Sequence, residues 1–159
     1  MLILSLDPSL SSTGYAVIES DTKKLVCKGK INTSAKDPTD DRIEQIITKL
    51  SFLPESSHVI LEDGFIGKNA KTGLQLSELR GAIIFYFRQQ KRTVVHQLPS
   101  EIRKNFGLPG NSKKEQVAEE VLKYYQLATQ IVGKEQTTNQ FFRIGASRLT
   151  NRLYAFLTE

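Results

Sequence analysis

Two carboxylates stand at the ends of apolar runs in the first part of the chain. Asp7 follows the run of residues 2–6, and Glu62 follows the run of residues 59–61. A charge at the end of an apolar strand is costly unless a partner compensates it. Two carboxylates brought close together repel each other and need a cation between them, and oxygen ligands favour Mg²⁺ or Mn²⁺ over zinc. The pattern therefore predicts a divalent-metal site, with Mg²⁺ as the ion and Mn²⁺ as its substitute.

The turn after Asp7 is rich in small residues. Residues 8–14 read Pro, Ser, Leu, Ser, Ser, Thr and Gly, and they offer backbone N–H groups and hydroxyls to a ligand. A phosphate group suits such a turn as well as a metal ion does. The simpler interpretation is an aspartate that ends the strand and caps the turn.

Hydrophobic patterning predicts the elements that position these carboxylates. Strands are expected at residues 2–7, 14–20, 25–32, 59–63 and 94–98, with helices between and after the last three. The order βββ-α-β-α-β-α-α-α predicts an α/β fold, in which an antiparallel meander joins parallel strands in one mixed five-stranded sheet flanked by helices on both faces. We expect residues 1–159 to form a single domain.

Three other polar features have plain structural interpretations. Lys28 and Lys30 alternate with less polar residues, as expected of an edge strand that faces water. His96, near the end of the last strand, is interpreted as structural. Asp63 is either a supporting group for Glu62 or simply its exposed neighbour.

The charge is unevenly distributed along the chain. The net charge is +5, but residues 1–63 carry 7 Lys and Arg against 10 Asp and Glu, whereas residues 64–159 carry 15 against 7. A basic second part suggests a polyanionic partner such as nucleic acid, and a merely solvated basic surface is the plainer alternative. The single cysteine fits a reducing compartment. Because no apolar run is long enough to span a bilayer, we expect a cytoplasmic protein with no membrane partner.

An acidic metal site beside a basic second part points to phosphodiester chemistry. At this point the sequence resembles the RuvC family of Holliday-junction resolvases, within the ribonuclease-H-like superfamily. Residues 4–9 with 13–15 look like the opening motif of the family, and residues 59–62 look like its second acidic strand. Residues 65–69 look like its junction-probing loop, and residues 76–83 look like its dimer helix.

The resemblance implies a metal-dependent endonuclease that resolves four-way junctions, and other branched DNA, as a homodimer. Asp7 and Glu62 would bind the metal, and Phe65 would stack on bases at the crossover. The helix around Leu79 and Ile83 would pair with its symmetry mate. The phosphates would be held by Lys68, Asn69, Arg103, Lys104, Lys113 and Lys114.

Plainer alternatives stand beside these roles. Phe65 could instead anchor its loop in the core, and Lys113 and Lys114 could be the solvated start of a helix. The short chain, compact acidic motifs and scarce cysteine resemble the branch of the family encoded by bacteriophages, which would place the protein in the host cytoplasm with the nucleoid.

The last segment departs from the family pattern. The family usually has two more acidic or histidine groups at the start of the final helix, and here Arg148 and Asn151 fall at those positions. Asn151, at the position of an expected catalytic aspartate, keeps an oxygen ligand without its charge, whereas Arg148 adds a positive charge. Three explanations stay open: the residues were changed to hold substrate without cutting it, the protein is a natural binding-only relative, or Glu135 serves instead.

Two other functions remain as alternatives. The first is a non-catalytic protein that binds junctions or branched DNA on the same fold. The second is a nucleotide-binding, kinase-like member of the related actin-type fold, in which Asp7 and the small residues after it meet a phosphate through Mg²⁺. That architecture normally needs two such domains, so it is the less favoured interpretation.

Overall fold

A mixed five-stranded sheet is the centre of the fold. The computed structural model describes residues 1–22, 24–63, 70–105, 107–113, 115–117 and 119–120. The sheet order is β3-β2-β1-β4-β5. Its strands and helices, in chain order, are β1 (Leu2–Asp7), β2 (Ser12–Glu19), β3 (Lys24–Asn32), α1 (Thr39–Leu50), β4 (His58–Glu62), α2 (Ala70–Gln89), β5 (Thr93–Gln97) and α3 (Pro99–Asn105).

The first three strands form the predicted antiparallel meander. β1 pairs with β2, and β2 pairs with β3, with a register shift between Val17 and Ile18. The turn between β1 and β2 is closed by Thr13, whose hydroxyl donates to the Ser9 carbonyl at 2.8 Å and accepts the Ser9 N–H at 3.3 Å. A threonine that bonds the backbone four residues earlier stabilises this turn without a ligand.

The last two strands are parallel to β1. β4 pairs with β1 after the crossover through α1, and β5 pairs with β4 after the crossover through α2. Parallel neighbours require such a crossover, and both strands therefore end at the same edge of the sheet as β1. The acid-tipped strands are thus neighbours, as the mixed topology predicts.

The sheet has two apolar faces. On one face Leu4, Leu6 and Leu61 pack in a cluster with residues of α1 and α2, among them Phe87. On the other face a smaller cluster contains Ile3, Ala16, Ile18 and Ile60. Because side chains alternate along a strand, residues 3, 5 and 7 of β1 share the face of this smaller cluster.

The predicted fold is confirmed for the described residues, with local differences. The strand bounds shift by one or two residues; β2, for example, begins at Ser12 rather than at the expected residue 14. The helices that were predicted after residue 120 lie outside the described residues, so the second helical layer is not described. Among the described residues, no helix combines the length and the apolar character needed to cross a membrane.

The packing of α2 bears on its expected role as a dimer helix. The helix around Leu79 and Ile83 was expected to pair with its symmetry mate, and both of these side chains are fully buried in the core of this chain. The apolar side chains that α2 exposes are Leu74, at 66%, and Phe85, at 67%. The sequence does not show which stripe of α2 faces the sheet, because the helix is apolar around much of its circumference.

Candidate metal centre and nucleic-acid interface

Asp7 and Glu62 end adjacent parallel strands on the same face of the sheet. Leu6 pairs with Leu61, so the next residue on each strand places Asp7 beside Glu62. Neighbouring strands are about 4.8 Å apart, and both carboxylates therefore lie within reach of one ion. Both side chains are half-buried, and the Oε2 atom of Glu62 is shielded from solvent.

Asp7 and Glu62 belong to a row of residues that pair with one another across the strands, and this row continues in both directions. Asp7 pairs with Gly14 on β2, which pairs with Lys30 on the edge strand β3. On the other side Glu62 pairs with Gln97, the last residue of β5. The order across the row is therefore lysine, glycine, aspartate, glutamate and glutamine, all on one face.

The backbone around Asp7 is held by several hydrogen bonds. In addition to the Thr13 bonds, Thr33 donates its hydroxyl to the Leu10 carbonyl. Arg42 of α1, which is buried, donates from Nε to the Thr33 hydroxyl at 2.9 Å. The turn that follows Asp7 is thereby connected to both β3 and α1, and this restricts the position of its carboxylate.

The end of β4 is held by a cluster around Asp63. The Oδ1 atom of Asp63 accepts a hydrogen bond from Nη2 of Arg80, on α2, and lies 3.0 Å from Nδ1 of His96, on β5. Burial raises the pKa of Asp63, but the hydrogen bonds from His96 and Arg80 and their charges outweigh it, so this pKa lies below its ordinary value. The Asp63 N–H also donates to the Gln97 carbonyl at 2.9 Å. These contacts tie the end of β4 to α2 and to β5.

The donor set fits a hard divalent cation. Among the described residues, no group of three or more His, Cys, Asp and Glu side chains is placed to hold a metal. The donors that the row offers are all oxygens: two carboxylates and the amide of Gln97, whose Oε1 is buried and makes no hydrogen bond to the described residues. Mg²⁺ is commonly held by one or two carboxylates and completed by water and phosphate oxygens. Asp7 and Glu62 suit such an ion.

The basic residues predicted to contact DNA are only partly described. Lys104 and Lys113 are exposed, as a phosphate-binding role requires. Arg103 is half-buried, and its Nη1 donates to the Gly110 carbonyl at 2.7 Å, which gives it a structural task in the loop after α3. Gly107 lies in that loop, and its φ of 71° suits a residue that follows the end of a helix. The other predicted contacts, Phe65, Lys68, Asn69 and Lys114, lie outside the described residues, as do Glu135, Arg148 and Asn151.

Two residues of the row that contains Asp7 and Glu62 were missed in the sequence analysis. Lys30 was interpreted only as an edge-strand lysine, because its position relative to Asp7 depends on the register of β2 between them. Gln97 was not singled out at all. A signal was available, since β5 is a third apolar strand that ends in a polar residue, as β1 and β4 do.

The described part of the chain has the mixed five-stranded sheet of a ribonuclease-H-like fold, with two carboxylates at the ends of neighbouring parallel strands. The family model described as crossover junction endodeoxyribonuclease RuvC matches residues 3–138. This chain belongs to the RuvC family.

Individual relatives agree with this assignment. The crossover junction endodeoxyribonuclease RuvC of Rickettsia felis is 30% identical over 122 residues, which cover 74% of this chain and 78% of the relative. The protein of the same description from Chlorobium phaeobacteroides is 31% identical over 143 residues, which cover 86% and 76% of the two chains.

Solved structures show the same fold. Thermus thermophilus RuvC in complex with a Holliday junction substrate superposes with a TM-score of 0.72 at 18% identity, covering 99% of this chain and 92% of that one. The Fowlpox virus resolvase, in complex with Holliday junction DNA, superposes with a TM-score of 0.60 at 15% identity, covering 99% and 97%. At this level of identity the likeness shows the fold alone.

Proposed function

We propose that this chain is a structure-selective endonuclease that resolves four-way DNA junctions and other branched DNA by metal-dependent phosphodiester hydrolysis. The observation that carries the proposal is the placement of Asp7 and Glu62 side by side at the ends of two parallel strands, in a chain of the RuvC family. We further propose that residues 1–159 form one nuclease domain, that Mg²⁺ is the ion, with Mn²⁺ as a substitute, and that the protein works in the cytoplasm.

In this proposal the chain holds and orients the reacting groups. Asp7 and Glu62 bind the divalent ion, which supplies charge neutralisation at the scissile phosphate and lowers the pKa of the attacking water. The hydrogen-bonded turn after Asp7 and the Asp63 cluster after Glu62 restrict the main chain beside both carboxylates. Such positioning matters because in-line attack tolerates little displacement of the reacting atoms.

The DNA-contacting surface is proposed to lie on the basic second part of the chain. The exposed Lys104 and Lys113 are the described contributors, together with Arg103, which also supports its loop. Phe65, Lys68, Asn69 and Lys114 are proposed on the strength of the family resemblance alone. Contacts of this kind fall mainly on phosphates, so binding should be salt-sensitive and independent of base sequence.

We propose that the active form is a homodimer, because a four-way junction presents two opposed strands and this chain carries one carboxylate pair in its described part. The exposed Leu74 and Phe85 of α2 are the candidate contacts. Phe85→Ser should shift the protein toward monomer in sedimentation velocity. Phe52→Ser is the matched control, because Phe52 is 82% exposed and lies outside α2. Equal dimer populations in both variants would exclude Phe85 from the interface.

A cleavage assay tests the catalytic proposal. A synthetic four-way junction and a linear duplex of the same sequence are incubated with the protein and Mg²⁺, and products are resolved on denaturing gels. We expect paired cuts in opposed junction strands. Asp7→Asn and Glu62→Gln should abolish cutting and retain junction binding, whereas the exposed control Glu44→Gln should cut normally. Equal cutting of the duplex would refute structural selectivity.

A second candidate function, junction binding without cleavage, is favoured by one observation from the sequence. Arg148 and Asn151 stand where the family resemblance leads us to expect metal ligands. This candidate predicts tight junction binding and no products with Mg²⁺ or Mn²⁺. If Arg148 and Asn151 replaced the metal ligands of an active enzyme, Arg148→Asp with Asn151→Asp should produce junction cutting. No gain of cutting in this double variant would count against such a replacement.

A further inference from the structure

Gln97 occupies the third position of a row that already contains both carboxylates. It pairs directly with Glu62, and Glu62 in turn lies beside Asp7. All three residues end parallel strands at one edge of the sheet and project from one face. Glutamine has the same reach as glutamate, so its amide can approach an ion held on the Glu62 side of the site.

The side chain of Gln97 is buried, and its amide oxygen lacks a hydrogen bond to the described residues. The residue is 8% exposed, and its Oε1 is buried and makes no hydrogen bond to the described residues. Burying an amide oxygen without a hydrogen-bond partner is costly. Native proteins rarely leave such a group in place unless a water, ion or ligand satisfies it.

The backbone at Gln97 is held in place by contacts of Gln97 and of the preceding residue with Asp63. Its carbonyl accepts the Asp63 N–H at 2.9 Å, and the preceding His96 contacts Asp63 through Nδ1. Because side chains alternate along β5, the imidazole and the amide project from opposite faces. The strand end therefore presents the amide to the Glu62 face with a fixed main chain.

We propose that Oε1 of Gln97 is a further ligand of the divalent cation, a neutral oxygen beside the carboxylate of Glu62. This inference rests on the proposed metal site, and it specifies a residue that the family resemblance did not supply. Amide oxygens are ordinary ligands of hard cations. A third oxygen from β5 strengthens a donor set that, in the described residues, contains only two carboxylates.

Binding of Mn²⁺ to the DNA-free protein tests the assignment without any dependence on cleavage. Free Mn²⁺ is measured by electron paramagnetic resonance during titration of the wild type, Gln97→Met and Gln97→Glu. Methionine keeps the length and apolar volume but removes the amide oxygen. We expect Gln97→Met to weaken Mn²⁺ binding by about tenfold, in the range found when groups that support a metal site are removed. We expect Gln97→Glu to bind more tightly than the wild type, because it adds a negative charge to the site.

A purely structural glutamine gives a different pattern. Gln97→Met would then leave Mn²⁺ affinity unchanged, which would overturn the proposal, whatever its effect on stability. Gln90→Met is the matched control, because Gln90 is exposed and lies between α2 and β5. If Gln97→Met does not fold, a wild-type affinity in Gln97→Glu would overturn the proposal by itself.

Failure of the metal site as a whole is distinguishable from failure of this inference. Asp7→Asn and Glu62→Gln should each abolish Mn²⁺ binding if the site is correct. Loss of binding in those variants with unchanged affinity in Gln97→Met overturns only the role of Gln97. Unchanged binding in all three variants overturns both the metal site and the inference.

Discussion

Replacing Arg80 with methionine should lower the free energy of unfolding by about 1–2 kcal/mol. The Arg80 and Asp63 side chains retain 17% and 33% exposure, so their ion pair is intermediate between an exposed pair and a buried pair. Exposed ion pairs contribute about 0.2–1 kcal/mol, and removal of one partner from a buried pair costs about 3–5 kcal/mol. For a chain of this size the loss corresponds to a fall in Tm of roughly 2–8 °C.

The pH dependence of this contribution has a definite sign. The hydrogen bonds and charges of His96 and Arg80 hold the pKa of Asp63 below its ordinary value in the folded protein, even though burial acts in the opposite direction. The unfolded chain therefore binds more protons in the acidic range than the folded chain does. The stabilisation is fully present above the ordinary aspartate pKa of about 4 and is lost as the pH falls through the folded value.

A double-mutant cycle measures the interaction itself. Urea unfolding of the wild type, Arg80→Met, Asp63→Asn and the double variant is followed in EDTA, at neutral pH and at acidic pH. We expect a coupling energy of about 1–2 kcal/mol at neutral pH that declines in acid. Arg88→Met is the control, because Arg88 is an exposed arginine of the same helix. A coupling below about 0.3 kcal/mol at neutral pH, or one that acid leaves unchanged, would refute this reasoning.

Three further predictions concern the core, the edge strand and the DNA surface. Phe87→Ala removes a fully buried ring and should cost about 3–5 kcal/mol in urea unfolding; a loss below 1 kcal/mol would contradict its central position. Burial lowers the pKa of Lys28 in the folded protein, so the unfolded chain binds more protons than the folded chain as the pH approaches 10.5. Lys28→Met should therefore be more stable than the wild type at neutral pH, and this gain in stability should shrink toward pH 10.5. A gain that grows with pH would contradict the prediction. Junction affinity should fall steeply with salt, and Lys104→Ala should reduce the slope of log K against log [salt] by about one; an unchanged slope would remove Lys104 from the interface.

The sheet was predictable because its strands carry strong local signals. The apolar runs that end at Asp7 and Glu62 are short and bounded by turn residues, and the one helix between them, α1, shows clear apolar spacing around Ile46 and Leu50. Parallel pairing of β1 and β4 then follows from the intervening helix. The sequence pattern therefore predicts that the two carboxylates lie at one edge of the sheet.

The features that were missed depend on which residues meet across the sheet. The position of Gln97 beside Glu62 follows from the register of β4 and β5, which no local pattern specifies. Asp63 was left between a supporting and an exposed role, because its contact with Arg80 joins a strand end to the middle of a helix 17 residues later. The stripe of α2 that contains Leu79 and Ile83 could not be placed for a similar reason, since the packing of α2 on the sheet decides which stripe is covered.

The most direct test of the central claim is the position of a bound Mn²⁺ ion. Crystals soaked in Mn²⁺ should give an anomalous scattering peak within coordination distance of a carboxylate oxygen from both Asp7 and Glu62. A peak that contacts neither residue, or two carboxylates that point away from each other with no ion between them, would contradict the account.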